Sequence, residues 1–274
     1  VSVLSLPAAS ISGETICSGT TGTVTITGTA GAEVDYTING GLAQQVTIGS
    51  TGTVDLTSAV LTSDAVYCLQ SVSTISGTVT CTTPLTACAT IDVLPLPTVS
   101  ISGATTICEG TTATVTFTGT PGSSVNYTVD GALATPIVLD AITGIFTVTT
   151  PALSSNSIYC LVDVTSATTP SCVQSFTDCV TITVLPLPTA TVSGTTTICQ
   201  GDNATLLFAG TPGATVNYTL NGTLTPITLD SITGENTITV STNTTVSLVS
   251  VQTNPIAPSP SCSQTISGTA SVTV

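Results

Sequence analysis

The chain has 274 residues and contains no Lys, Arg, His, Met or Trp, while its Asp and Glu residues give a net charge of −14. That balance excludes the usual means of holding nucleic acid, whose affinity comes largely from Lys and Arg neutralising phosphates. It also leaves phosphate or carboxylate substrates without a bidentate clamp. No run of eighteen apolar residues reads as a membrane span, and the 41% hydrophobic content with few charges is not a disordered composition.

In chain order, the sequence opens VSVLSLP, which matches TITVLPLP at the end of a later passage (Thr181 to Pro188). Residues 1–7 are therefore expected to be the end of a preceding repeat and its linker, and the chain a segment of a longer array or a processed subunit. From Glu14 the passage ETICSGTTGTVTITGTAGAEVDYTING begins. It returns as TTICEGTTATVTFTGTPGSSVNYTVDG from Thr105 and as TTICQGDNATLLFAGTPGATVNYTLNG from Thr196. Cys17, Cys108 and Cys199 step by 91 residues, and so do Tyr36, Tyr127 and Tyr218. A fixed period of this size means an array of like domains. The boundaries read as repeats at 8–93, 98–184 and 189–274, with linkers at 94–97 and 185–188.

The middle repeat shows the elements most clearly. Val99 to Ser102 is a short first strand. Ala113, Val115 and Phe117 alternate with threonines, as a half-buried strand does. Thr-Pro-Gly (Thr120 to Gly122) makes a turn, and Val125, Tyr127 and Val129 form the next alternating strand. Asp130-Gly131 follows, matched by Asn39-Gly40 and Asn221-Gly222, and these dipeptides are strong hairpin signals because both residues tolerate positive φ. Ile137 to Leu139, Ile145 to Thr149, Ser157 to Ser166 and Phe176 to Val184 complete about seven strands. Short strands at regular spacing, with turn signals between, predict an all-β fold. It consists of three tandem immunoglobulin-like β-sandwich domains of about seven strands each, disulfide-stabilised and joined by short Pro-rich linkers. The linkers Leu94-Pro95-Leu96-Pro97 and Leu185-Pro186-Leu187-Pro188 are stiff spacers, so three modules should form a rod roughly 100–130 Å long. The same prolines also block edge pairing.

The ten cysteines recur with the repeats. Ser247 and Thr269 stand in the third repeat where the second has Cys160 and Cys179. Two cysteines are lost together, which predicts the pairs Cys68–Cys88 and Cys160–Cys179. Cys160 points outward, since Tyr159 and Leu161 form the buried face, and Cys179 lies on the outward, Thr-bearing face of its strand, where a hydroxyl replaces sulfur without being buried. The cysteines that remain together predict Cys17–Cys81, Cys108–Cys172 and Cys199–Cys262. Simple strand counting, however, puts Cys108 and Cys172 at opposite ends of a sandwich. Either the first strand is kinked, or the bond joins neighbouring repeats, as Cys108–Cys262 would. Bonds within a repeat are the expectation, because each repeat then closes its own set. Even cysteine counts with no His argue for disulfides over zinc and for an oxidising compartment.

Catalytic chemistry finds little material. There is no His to titrate near neutrality, no Lys for Schiff-base work, and no partner to activate a serine. Carboxylates are not constant between repeats: Asp130 corresponds to Asn39 and Asn221, and Asp140 and Asp230 to a Gly49-Ser50 turn. They read as turn formers. Glu33 and Asp35 form the densest acidic pair, but the later repeats have Ser124 and Asn126, then Thr215 and Asn217, so repeated calcium sites are not expected, and a single weak site near Glu33 and Asp35 is the alternative left open. Neither a resident metal nor a cofactor is implied, and the repeated tyrosines alternate as core positions do. Lysine isopeptide crosslinking has no lysine to use.

The block PTVSISGATTICEGTTATVTFTGTPGSSVNYTVDG, closed by SCVQSFTDCVTITVLPLPT, resembles the Thr-rich immunoglobulin-like repeats of very large Bacteroidota surface proteins. These include gliding-motility adhesins and similar type IX secretion cargo. The resemblance covers all three repeats. The family's IC-x-G element falls on Ile16-Cys17, Ile107-Cys108 and Ile198-Cys199, and its late SC element on Cys172 and Cys262, with Thr80-Cys81 in the first repeat. The resemblance implies export, display on the bacterial cell surface and many tandem copies. The functional expectation is a non-enzymatic, rigid stalk segment of a large adhesin. Its partners would be neighbouring repeats or copies of the same protein and a polysaccharide or host surface. A filament or sheath subunit, in which the strand Val1 to Leu6 completes a neighbour's sandwich, is the alternative. An accessory array on a secreted hydrolase is a third reading.

Overall fold

The computed structural model describes residues 5–254 and 259–274. Most of the proposed exchanging strand at Val1 to Leu6 lies outside the described residues. The first repeat contains β1 (Ala9–Ser12), β2 (Thr15–Cys17), β3 (Thr23–Gly28), β4 (Glu33–Ile38), β5 (Gln44–Thr47), β6 (Thr53–Thr57), β7 (Ala65–Ser76), β8 (Val79–Pro84) and β9 (Cys88–Leu94). The second contains β10 (Val99–Ser102), β11 (Thr105–Cys108), β12 (Thr114–Gly119), β13 (Ser124–Val129), β14 (Ala132–Leu133), β15 (Ile137–Val138), β16 (Ile145–Thr149), β17 (Ser157–Thr165), β18 (Val173–Ser175) and β19 (Cys179–Leu185). The third contains β20 (Ala190–Ser193), β21 (Thr196–Thr197), β22 (Ala204–Gly210), β23 (Thr215–Leu220), β24 (Thr223–Thr228), β25 (Glu235–Val240), β26 (Thr244–Gln252), β27 (Ser263–Thr265) and β28 (Thr269–Thr273).

Each repeat is a two-sheet sandwich with the same strand order. A three-stranded sheet (β10-β12-β16 in the second repeat) faces a larger one (β11-β19-β17-β13-β14). The core between them follows from the period-2 alternation. Val115 and Phe117 of β12 and Val125 and Tyr127 of β13 turn inward, as do Val24, Ile26, Val34 and Tyr36 in the first repeat and Leu206, Phe208, Val216 and Tyr218 in the third. Phe117 has no solvent exposure and packs on Tyr127 with ring centroids 5.0 Å apart. Burying such a side chain contributes about 2–3 kcal/mol. Each repeat has its own core cluster. The hairpin dipeptides take positive φ at both positions (52° and 82° at Asp130 and Gly131), as the tight mirror-image turn requires.

The structure differs from the sequence reading at two places that matter for the cysteines. The first strand of each repeat is two strands. β10 ends in the small sheet, and the chain then crosses to the large sheet, where β11 pairs in parallel with β19. The crossing needs glycine in the second repeat. Gly103 has φ 115°, and a side chain there would run into the Thr114 carbonyl oxygen. The expected strand Phe176 to Val184 is also longer and interrupted. β18 and β19 together hydrogen-bond the length of β17, with Phe176 and Leu161 donating across the irregular stretch to Val162 and Asp178.

Candidate functional site: the disulfide-linked junctions

Cys160 and Cys179 are direct cross-strand partners on β17 and β19, and Cys68 and Cys88 are the same pair on β7 and β9. Both pairs are bonded, with Cα–Cα 4.1 Å and 4.0 Å. In the third repeat Ser247 and Thr269 occupy the identical register.

The longer bonds are not where the sequence reading puts them. Cys17 is bonded to Cys172, and Cys108 to Cys262, with Cα–Cα 5.6 Å and 5.4 Å. The expected pairs Cys17–Cys81, Cys108–Cys172 and Cys199–Cys262 do not form, and Cys81 and Cys199 are free thiols. Sheet geometry decides this. In the second repeat the final strand runs from Val173 to Leu185. Cys172 immediately precedes it, and Cys108 lies opposite Leu185 at its far end. Thirteen extended residues reach roughly 40 Å, whereas a disulfide tolerates Cα separations of only about 4.4–6.8 Å. No kink of the first strand closes such a gap. β11 carries Cys108 to the end from which the chain leaves the repeat, where the Glu109 amide donates to the Leu185 carbonyl. The next repeat begins there, and the cysteine it presents is its late one, Cys262.

Each of these two longer disulfides therefore spans a Pro-rich link. The second proline of each link, Pro97 or Pro188, is buried, as is Pro7 ahead of the first repeat. The Gln264 side chain donates to the Pro188 carbonyl (2.7 Å), and the Thr83 hydroxyl to the Pro7 carbonyl (2.8 Å). Each of these carbonyls is thus tied to the hairpin that carries the late cysteine. A crevice of about 240 Å³ between Ala104, Thr105 and Thr106 of the second repeat and Ser259 of the third marks their approach. The bonds overlap along the chain, since Cys108 lies inside the loop that Cys17–Cys172 closes.

The carboxylates serve local structure. The Asp130 carboxylate accepts from the Ile158 amide (2.7 Å) and the Ser157 hydroxyl (3.1 Å), while Asn39 and Asn221 accept from the Val66 and Thr245 amides. Asp140 caps its turn by accepting from the Thr143 amide and hydroxyl and the Ile142 amide. Those donors, the Thr143 amide first, hold its carboxyl below the ordinary value, and Asp230 is lowered in the same way by Thr233 and Ile232. Asp35 accepts from Gln45 and Ser71, so its oxygens are already engaged next to Glu33. Among the described residues no group of three or more His, Cys, Asp or Glu could hold a metal ion. Burial raises the pKa of Tyr67, Tyr127, Tyr159 and Tyr218, as expected of core residues.

No protein-family model matches the chain, and no curated protein matches it. Among solved structures it is similar to a marsupial T cell receptor, at 13% identity and TM-score 0.39, covering 95% of this chain and 100% of that one. It is similar to the D1–D4 ectodomain fragment of ICAM-5 at 9% identity and TM-score 0.40, covering 98% and 77%. It is also similar to E. coli alpha-2-macroglobulin at 9% identity and TM-score 0.36, covering 94% of this chain but only 22% of that one. The immunoglobulin-like assignment stands on the strand order and the two facing sheets, which are the same in all three repeats. The chain is an array of immunoglobulin-like domains, and its four disulfides are those of an extracellular or secreted protein.

Proposed function

We propose that the chain is a non-catalytic, load-bearing stalk segment of a large bacterial surface adhesin, holding a binding tip away from the cell. The observation that carries this reading is the covalent bond across each junction. A linker of two prolines already limits bending. A second covalent connection, from the exit end of one sandwich to the late hairpin of the next, removes the remaining freedom of a one-point hinge. Such reinforcement suits a part that transmits tension or keeps distance. The low charge, the absence of Lys and Arg and the sealed cores suit prolonged exposure outside the cell. Surface display and export by a type IX route belong to the same proposal and draw on the repeat resemblance.

Small-angle scattering tests the mechanical part. The oxidised chain should give one narrow distance distribution with a maximum of roughly 100–130 Å, as expected for three sandwiches end to end. The Cys17→Ser/Cys108→Ser variant should give a broader distribution with bent forms. Equal breadth for both proteins would remove the basis for a stiffened stalk.

A further inference from the structure

The small sheet of each repeat ends in an edge strand, β6, β16 or β25. An edge presents a row of backbone groups that can take up another strand, and proteins block such edges with charge, proline or a covering group. The first and third repeats block theirs. β6 carries Asp55 at its centre. In β25 the Asn236 side chain accepts from the Thr237 amide (2.8 Å), and Glu235 stands before it. β16 reads Ile145-Phe146-Thr147-Val148-Thr149, with no charge and no proline, and the other strands of its sheet, β10 and β12, are uncharged too. Such β-branched and aromatic residues favour pairing. We propose that β16 pairs antiparallel with β16 of a second copy of this chain, making one continuous sheet that joins two chains side by side at their middle domains. The inference rests on this edge and not on the stalk reading.

The hydrogen-bond alternation shows which groups are free. The Thr150 amide donates to the Ala113 carbonyl, and the Gly119 amide to the Gly144 carbonyl. In the register between them Phe146 and Val148 exchange bonds with Phe117 and Val115, so the amides and carbonyls of Thr147 and Thr149 point away from β12. By the same count the Thr237 amide, which Asn236 occupies, is the counterpart of the Thr147 amide. A two-fold axis at Val148 sets Thr147 opposite the second copy's Thr149 and the reverse, and each of these pairs exchanges its backbone hydrogen bonds.

The side chains make the strand its own complement. Thr147-Val148-Thr149 reads the same in both directions. Val148 meets its own copy at a close, non-hydrogen-bonded position, and Phe146 comes diagonally beside the second copy's Val148. Phe146 is 37% exposed although its cross-strand partner Phe117 is fully buried, and the added strand covers that open side. On the outer face threonine stands opposite threonine, a favourable pair.

Charge selects the occupant. The chain carries −14 and no cation, so two copies repel wherever their acids meet. An uncharged sheet is where they approach with least repulsion, and it offers a cationic segment no carboxylate to pair with. In the same pairing β6 would bring Asp55 diagonally beside its own copy, about 7–8 Å away, within the screening length of about 8 Å at physiological salt.

Sedimentation velocity of the full chain tests this, with Cys81 and Cys199 alkylated so that no disulfide links copies. The unaltered chain should form a reversible dimer over roughly 0.1–1 mM, as so small an interface implies. Thr147→Asp copies what the first repeat has at this register, so it should fold, and it should raise the dimer dissociation constant about fivefold or more, with a larger effect at low salt. Thr147→Pro removes only an outward-facing amide and should also weaken the dimer. Thr181→Asp adds the same charge on the exposed face of β19, away from the edge, and should leave the dimer unchanged. Hydrogen exchange should slow with rising concentration at the Thr147 and Thr149 amides and stay constant at Thr237. A chain that stays monomeric throughout that range overturns the proposal. So does a dimer that Thr181→Asp weakens as much as Thr147→Asp, or one that protects other amides in place of Thr147 and Thr149. None of these results touches the stalk reading, which depends on the internal junctions.

Discussion

The third repeat offers the sharpest test of what the junction bonds do. It has no cystine of its own, because Ser247 and Thr269 replace the cross-strand pair, so Cys108–Cys262 is its single covalent tie besides the backbone. When this repeat unfolds while the second stays folded, Cys108 remains fixed against Leu185. The loop that the bond closes then runs from Leu185 to Cys262, about 77 residues, and the chain-entropy relation gives about 4.5 kcal/mol for such a loop. For a domain of this size each kcal/mol moves the melting temperature by about 4–8 °C, so losing the bond should lower the third repeat's transition by on the order of 20 °C. Differential scanning calorimetry of dilute protein should show this lowered transition equally in Cys262→Ser and Cys108→Ser. Cys199→Ser should melt like the unaltered chain. If Cys199→Ser were as damaging as Cys262→Ser while Cys108→Ser left the third repeat unchanged, the bond would lie within the repeat and the junction geometry described above would be wrong.

Three further outcomes follow from local contacts. The Ser123 hydroxyl is fully buried with no partner among the described residues, while Ala32 and Ala214 fill that place in the other repeats; Ser123→Ala should stabilise the second repeat by about 1–2 kcal/mol in urea denaturation, and a loss of stability would show that the hydroxyl is satisfied. Asp130→Asn should be near neutral, since Asn39 and Asn221 do the same work, whereas Asp130→Ala should cost about 1–3 kcal/mol by stranding the Ile158 amide; equal effects of the two substitutions would contradict the turn role. The Asp140 and Asp230 carboxyls are lowered by hydrogen bonds made only in the folded state, so their contribution is complete above the unfolded carboxyl pKa and is lost as pH falls through the lower folded value. Carbon-detected titration should place both midpoints below those of unstructured aspartates, and midpoints at or above the ordinary value would refute the assignment.

The alternating segments were legible because one face of each strand is buried, which writes period 2 into Val115 and Phe117 or Val125 and Tyr127. The turns were legible because only a few residues tolerate positive φ, and Asp130-Gly131 and its counterparts are among them. The crossing from β10 to β11 was not legible. Ala104, Thr105 and Thr106 have no apolar alternation, and a four-residue strand held by parallel pairing to a distant partner leaves almost no local trace.

The cysteines show a different kind of limit. Loss of two cysteines from one repeat identifies the short bond, because Cys160 and Cys179 are cross-strand neighbours. Joint retention of Cys199 and Cys262 does not identify a bond between them, since Cys262 is bonded to Cys108 of the preceding repeat and Cys199 is a free thiol. In an array of copies, pairing within a repeat and pairing to the next differ only by one period. What separates them is the length of the final strand, which agrees with the strand counting that puts Cys108 and Cys172 at opposite ends of a sandwich.

The central claim is that sulfur ties each sandwich to the next, and a non-reducing peptide map tests it most directly. Trypsin has no sites here, but cleavage after Asp and Glu separates the relevant cysteines. The account predicts that peptide 15–33 is joined to 164–178, and peptide 93–109 to 236–274. Peptide 15–33 joined to 65–92, with 93–109 joined to 164–178, would contradict it.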